Sequence, residues 1–468
     1  MERIKQTMRT WKVPIGKREM SEKIEELQKR ESKYILTQPL YQNYWLQSIQ
    51  GAPTKPGKGS SVVDTTLSLA GLVASSILNS SSSQFSPKDS SFIFWHEIPE
   101  VKQSGLLGVV TAQELKVQEA MFEVITSEAS YLRSLTVAVN HFSKCPELLD
   151  TLTLTDRHTL FSNVLEVKDA SERFLLDLEA RLEENIFLRD ISDVVLRHCT
   201  DFRRVYIPYV TNQMYQEKVM QQLMQNVEFV QVLKKLEEQP VCQRQLLKSF
   251  LILPFQRITR LKILLENILM LTSPECPITE SVGQAVEAIR EIVHECNENI
   301  KMMRQIEELV SLEKQLEFAS TKSLALISRT RFLVKEGELD EIFGPESGHK
   351  TGNAAKSIYL HLFNDLLLLS RKDDGRFSVL DYARTSKVRA DCFEAKSLVF
   401  VLFLSENHKG ISRKFIVGAG NEYEMQEWVA AISTLQRAEC EPPNKATWCV
   451  EMSESDHSTV CKFSDSEA

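Results

Sequence analysis

The sequence predicts a multidomain protein. An all-α helical bundle is followed by a β-sandwich or barrel that one C-terminal helix caps, with a flexible region in front. Three observations carry this reading. Apolar residues keep helical spacing from about Leu115 to Leu316, short β-rich runs take over beyond Leu326, and Gly, Pro and Ser dominate from Gly51 to Ser91. A chain of 468 residues is too long for one core, which agrees with two or three separate bodies. With 43% hydrophobic and 26% charged residues, the composition is that of an ordinary globular protein.

Residues 1–91 read as an N-terminal regulatory region. The opening MERIKQTMRTWK lacks the apolar stretch of a signal peptide. Residues 1–60 carry twelve Lys or Arg against six Asp or Glu, and a charged helical pattern runs from Ser21 to Ser32. Then comes an aromatic island, Tyr34 to Trp45 (YILTQPLYQNYW), with a short helix expected around 34–50. From Gly51 to Ser91, including the run Ser80 to Ser83, the chain holds too little apolar area to repay ordering and predicts a linker. The most apolar early run, Val62 to Leu78, is interrupted by Asp64 and hydroxyl residues, so it is a poor membrane span.

The bundle is expected over 92–316. In its first long helix Met121, Val124, Ile125, Leu132, Leu135 and Val139 form an apolar stripe, with Glu119, Glu123 and Ser130 opposite. Further helices are predicted over Thr155–Glu184, Asp190–Lys235 and Thr279–Gln315. Leu246 to Met270 reads as one long helix kinked at Pro254, with Arg257, Arg260 and Lys262 along it. Gln256 and Arg260 lie one turn apart, and Asn267 two turns further. The last helix carries Arg290, His294, Asn297 and Lys301 on a polar face. No Gly-rich phosphate loop and no strand–helix alternation occur, which excludes a nucleotide-binding fold.

The β-rich body is expected over 317–437. Its runs are Phe332–Ile342, Ser357–Ser370, Phe377–Tyr382, Leu398–Leu404 and Lys414–Val417, closed by a helix over Glu422–Gln436 with Trp428 beside Ala431 and Ile432. Residues 438–468 read as a disordered acidic tail, two bases against seven acids over 439–468. The net charge of −8 argues against wholesale nucleic-acid binding. Nine cysteines without a Cys-x-x-Cys pair, and no His cluster at ligand spacing, indicate neither zinc nor a disulfide framework. Scattered thiols suit a cytoplasmic protein.

Two motifs give the bundle a family. Leu251, Pro254, Gln256, Arg257, Ile258, Thr259, Arg260, Leu261, Leu264 and Leu265 resemble the third conserved region of the Dbl-homology domain. Glu123, Glu128, Tyr131 and Leu132 resemble its first. That domain is the exchange module of Rho-family guanine nucleotide exchange factors, and the strands with a Trp-bearing helix resemble the pleckstrin-homology domain that accompanies it. Phe92 to Gly108, and Leu40-Tyr-Gln-Asn-Tyr further upstream, resemble the ephexin subfamily. Many ephexins end in an SH3 domain, and this chain stops without one.

The resemblance implies roles. Glu123 would accept hydrogen bonds from switch I of a small GTPase, while Arg260 and Asn297 would reshape switch II, with Arg260 where the family often has Lys. Gln256, Leu261, Lys262 and Arg290 would add GTPase contacts, and Lys262 suits an acidic partner, which points to Rho. Tyr206 and Tyr209 are expected to pack rather than to contact. Exchange of this kind works by holding the nucleotide-free GTPase more tightly than the loaded one. It needs no cofactor, nucleophile or metal. The alternative is a catalytically silent scaffold that holds a GTPase or membrane through the same two domains. Tyr41 and Tyr44 would be phosphorylated by a tyrosine kinase to release a covering helix, or else belong to a mobile segment. Lys350 and Lys356 would give weak phosphoinositide contact and recruitment to the plasma membrane.

Overall fold

The structure, a computed structural model, describes residues 32–35, 37–44, 93–319, 321–342, 355–392 and 398–440. The charged pattern before Ser32, the linker Gly51–Ser91, Lys350 and the acidic tail beyond Cys440 lie outside them. The chain forms two compact units, residues 1–301 and 302–468.

The first unit is helical. Its main elements are α1 (Ala112–Val137), α2 (Leu154–Phe161), α3 (Val164–Glu184), α4 (Ser192–Leu223), α5 (Val227–Glu237), α6 (Leu247–Leu251), α7 (Leu253–Leu271) and α8 (Thr279–Glu313), the last running on into the second unit. Three runs expected as single helices are divided. The chain breaks at Ser162, whose φ is +48°, between α2 and α3, and again between α4 and α5, where Asn226 caps the new helix through its side chain. Pro254 does not kink one helix. It sits in the first turn of α7, where its missing N–H has no intrahelical acceptor to lose, and α6 ends just before it.

One buried cluster joins Met121, Val124, Ile125 and Leu135 of α1 to Phe174 of α3, Phe202 of α4, Leu265 of α7 and Ile289 of α8. Trp95 closes one side of it, donating its indole N–H to the Ile186 carbonyl at 2.8 Å. Leu40 and Tyr41, far upstream in the chain, belong to the same cluster. Burying apolar side chains of this size stabilises by roughly 1.5–3 kcal/mol each, so a segment that contributes two is docked, not draped.

The second unit is an open eight-stranded sheet followed by α9 (Glu422–Cys440). In spatial order the strands are β1 (Leu316–Glu317), β5 (Arg376–Arg384), β4 (Leu366–Asp373), β3 (Ala355–Phe363), β2 (Leu333–Ile342), β8 (Arg413–Gly418), β7 (Val399–Leu404) and β6 (Val388–Cys392). The run Ser357–Ser370 is two strands, because Asn364 and Asp365 turn the chain between β3 and β4. Asp374 and Gly375, with φ of +45° and +80°, make the tight turn from β4 to β5 that right-handed strand twist favours. The sequence patterns did not predict β1 or β6. Trp428 of α9 is fully buried, and its ring lies so close to Gly337 that a side chain there would crowd it at 3.3 Å. On another part of the unit Leu309 and Leu312, the end of α8, pack with Phe363, Leu366, Leu368 and Phe377.

Candidate functional site

α1 begins at a capping box: Thr111 Oγ1 accepts from the Glu114 amide at 3.2 Å, and Glu114 accepts from the Thr111 amide at 2.8 Å. From that fixed start, helical spacing carries Glu123, Ser127, Ser130 and Ser134 along one side. α7 packs against α1. Between them lies a charged pair that is almost wholly buried. Arg257 Nε donates to Glu128 Oε2 at 2.7 Å, Nη1 donates to Ser127 Oγ at 2.9 Å, and Nη2 donates to the Val124 carbonyl at 3.4 Å. Glu128 also accepts from the Ser171 hydroxyl of α3. Burial works against the Arg257 charge, yet the Glu128 carboxylate holds it protonated above its ordinary value.

The next base along α7 is placed differently. Arg260 Nη2 donates to Glu123 Oε1 at 3.0 Å, and both side chains keep some exposure, 22% and 31%. So one base of α7 fastens the helices together while the other holds an acid at the surface.

Asn297 is half-buried on α8. Its level follows from register. α7 and α8 are joined by residues 272–278 alone, so the chain turns back antiparallel, and Arg290 of α8 reaches Glu266 of α7 at 3.1 Å. Arg260 lies six residues back along α7 and Asn297 seven on along α8, shifts of about 9 and about 10 Å in one direction at ~1.5 Å per residue. Asn297 is thereby level with Arg260.

A strap covers the neighbouring face of α1. Residues 41–44 form one helical turn, and Tyr41 and Tyr44 are both buried. The Tyr41 amide donates to Ser134 Oγ at 2.8 Å, Ser130 Oγ donates to the Pro39 carbonyl at 2.7 Å, and Arg133 donates to the Gln38 carbonyl. The Tyr44 hydroxyl lies 3.3 Å from Thr126 Oγ1, one turn from Glu123. Gln42 and Asn43 reach across to Ser249 and Gln243. The Tyr41 ring stands 5.8 Å from the Arg257 guanidinium carbon, and burial pushes both tyrosine hydroxyls above their ordinary pKa. Ser130, expected on an open polar face, is fully buried because this strap lies over it.

The other expected contacts divide. Gln256 and Lys262 are half-buried on α7, and Arg290 is exposed but engaged by Glu266 and Glu287. Leu261 does not reach the surface: at 2% exposure it is part of the bundle core, one residue round the helix from Arg260 and on its inner side. Tyr206 and Tyr209 are buried, bonded to the Tyr131 hydroxyl and the Leu251 carbonyl. Lys356 is exposed on β3, opposite Glu341 of β2. Arg257 was the residue the pattern undervalued, and Thr126, Ser134 and Ser171 were not singled out at all. Among the described residues no group of His, Cys, Asp and Glu is arranged to hold a metal, and no helix is long and apolar enough to cross a membrane.

Residues 120–297, which include Glu123, Arg260 and Asn297, match the RhoGEF domain family. The helical unit carries a RhoGEF domain. Over 352 residues, 74% of this chain, it is 46% identical to mouse Rho guanine nucleotide exchange factor 5, covering 22% of that protein. It is 41% identical to rat Ephexin-1 over 359 residues, covering 74% of this chain and 51% of that one. Human Rho guanine nucleotide exchange factor 15 is 41% identical over 354 residues, with 74% and 42% covered. The chain thus spans about half or less of the length of these relatives. In fold it resembles the DH/PH domains of p115-RhoGEF, with a TM-score of 0.61 at 21% identity over 74% of this chain and 99% of that one. It also resembles the PDZ-RhoGEF DH/PH domains solved in complex with GTP-γ-S activated RhoA, with a TM-score of 0.59 at 20% identity over 74% and 99%.

Proposed function

We propose that this chain is a guanine nucleotide exchange factor for Rho-family small GTPases, with Rho itself preferred. Residues 92–316 would act as the exchange domain and 317–437 as its pleckstrin-homology companion. The observation that carries the reading is the Glu123–Arg260 pair, half-exposed on the family's matched helices with Asn297 at the same level. Relatives named as Rho exchange factors, and a neighbour of this fold solved with RhoA, support the partner class.

The work such a site does is differential binding. Glu123 takes up backbone donors of one switch segment, and Arg260 and Asn297 draw the other out of the nucleotide-binding conformation. Because Arg260 already holds Glu123, the acid meets its partner preorganised and loses little side-chain entropy on binding. Only the excess affinity for the nucleotide-free GTPase drives release. No covalent step is involved on this chain.

In the same reading the strap 32–44 is autoinhibitory. It covers α1 beside Glu123, and a phosphate on Tyr41 or Tyr44 would bring ~2 negative charges into a buried site, which favours the undocked segment. A tyrosine kinase would thus be an upstream partner. Lys356, facing Glu341 across the strand pair, supports only a weak membrane contact.

Release of a fluorescent guanine nucleotide from purified Rho, Rac and Cdc42-type GTPases tests this. Exchange on Rho should accelerate with the full chain, and further with residues 1–91 removed or with Tyr41→Glu. No acceleration on any of the three, with or without residues 1–91, would leave the scaffold reading.

A further inference from the structure

The strap has a second anchor, away from Tyr41 and Tyr44. Ser32 donates its hydroxyl hydrogen to Glu179 Oε1 at 2.6 Å, and the Tyr34 amide donates to the same oxygen at 3.3 Å. Ser32 Oγ also accepts from the Ile35 amide at 3.2 Å, which closes the turn that starts the strap. Lys33 pairs with Glu183 at 2.6 Å, one turn further along α3, and the Tyr34 ring meets Phe122 edge-on at 5.7 Å. The polar contacts of this anchor stand on α3, while the Tyr34 ring touches α1, the helix on which Tyr41 and Tyr44 stand. Its acceptor, Glu179, is 4% exposed. Ser32 itself is half-buried, and the residues three and two before it are Lys29 and Arg30.

We propose that Ser32 is a phosphorylation site for a basophilic serine/threonine kinase, and that its phosphate lifts the upstream end of the strap from α3. This rests on the reading of residues 32–44 as an inhibitory cover. In the transfer, Ser32 Oγ attacks the γ-phosphorus of ATP and a P–O bond forms. The bond to the β-phosphate oxygen breaks, ADP leaves, and the hydroxyl proton passes to the kinase's base. Lys29 and Arg30 supply the positive charge upstream of the acceptor that acidic kinase grooves select.

The consequence follows from the geometry. The ester oxygen has no hydrogen left to give Glu179, so the 2.6 Å bond is lost. In its place a dianion faces a carboxylate with little water to screen it, with Glu183 one turn away. The kinase reaches Ser32 when the strap is undocked, and the phosphate then opposes redocking, so the modification shifts a population that already exists. Because the Ser32 bond rests on α3 and the Tyr41 and Tyr44 contacts on α1, serine and tyrosine inputs add: either loosens the cover, and both release it.

The test uses the full chain, ATP and the catalytic subunit of a cAMP-dependent-type kinase, with the modified residues mapped by mass spectrometry. Two readouts are taken: hydrogen-exchange protection of the amides of residues 34–44, and nucleotide release from Rho. Wild type should take phosphate at Ser32, lose protection at the Tyr34 and Tyr41 amides and exchange severalfold faster. Ser32→Ala should show neither change, and Glu179→Gln, which removes the opposing charge, should lose less protection on phosphorylation. No phosphate at Ser32, or phosphate there with protection intact, overturns the inference. Lost protection without faster exchange supports the Ser32 site and instead overturns the inhibitory reading of the strap.

Discussion

Each unit of this chain buries an ionisable side chain, and the two do it in opposite ways. In the helical unit Arg257 is kept charged by a full set of partners, Glu128, Ser127 and a backbone carbonyl, directly beneath the strap and one turn from Arg260. In the sheet unit His361 is fully buried with neither ring nitrogen hydrogen-bonded, and burial lowers its pKa to about 4. Glu336 stands 3.6 Å away, beyond hydrogen-bonding reach. The sheet unit does hold one satisfied buried acid, Asp381, bonded to Asn407, His408 and Arg413, but it serves to pin the loop before β8. A cation that must stay charged lies under the proposed GTPase face. A group that must stay neutral lies in the core of the sheet unit.

Cutting the helical network gives the largest expected effect. Arg257→Met leaves Glu128 buried without its cation, a change that costs about 3–5 kcal/mol. Thermal or urea unfolding should show the helical unit destabilised by that amount. Replacing both partners, Arg257→Met with Glu128→Leu, should restore most of it. A single-variant loss below about 1 kcal/mol would make the pair incidental.

The matching experiment on the sheet unit is titration. His361 in the unfolded chain has its ordinary pKa of 6.5 and in the folded unit about 4, so below 6.5 the unfolded state binds more protons. Stability is therefore complete above pH 6.5 and is lost progressively as pH falls towards 4, by on the order of 3 kcal/mol. His361→Phe, which keeps ring contacts with Tyr359 and Phe377, should remove that part of the acid sensitivity. If wild type and variant lose stability in parallel between pH 7 and 4, His361 is not the buried neutral group described.

The contrast also shows what a sequence lays open. Helices and most strands are readable because periodicity is local, and the motif places Glu123 and Arg260 on the two helices where they meet. The buried pair is a local signal as well: Glu128 has Val124 and Leu132 one turn to each side, and Arg257 has Leu253 and Leu261. A lone acid and a lone base on two apolar stripes find each other in the core. Leu261 shows the reverse error, since a motif position next to Arg260 says nothing of which way the helix faces. Ser130 and Ser134 were not readable. Their burial depends on a segment some ninety residues upstream, and nothing within α1 announces what covers it.

Asn297 tests whether the surface face, unlike the network below it, is spared for function. Asn297→Ala should lower exchange about 100-fold, about 2.7 kcal/mol of lost transition-state binding, while the unfolding midpoint stays within a degree or two. A large fall in the midpoint would move Asn297 to the structural side of the comparison.

The smallest effect concerns the strap. Tyr44→Phe keeps the buried ring and removes the hydroxyl 3.3 Å from Thr126, worth about 1 kcal/mol. The docked segment should therefore loosen roughly fivefold, and exchange should rise by no more than that factor. Thr126 still has the Phe122 and Glu123 carbonyls within 3.4 Å, so no buried donor is orphaned and the helical unit should keep its stability. That separation is what distinguishes a cover from a core element. Should Tyr44→Phe instead destabilise the whole helical unit as Arg257→Met does, residues 40–44 are part of the bundle and no cover is there to lift.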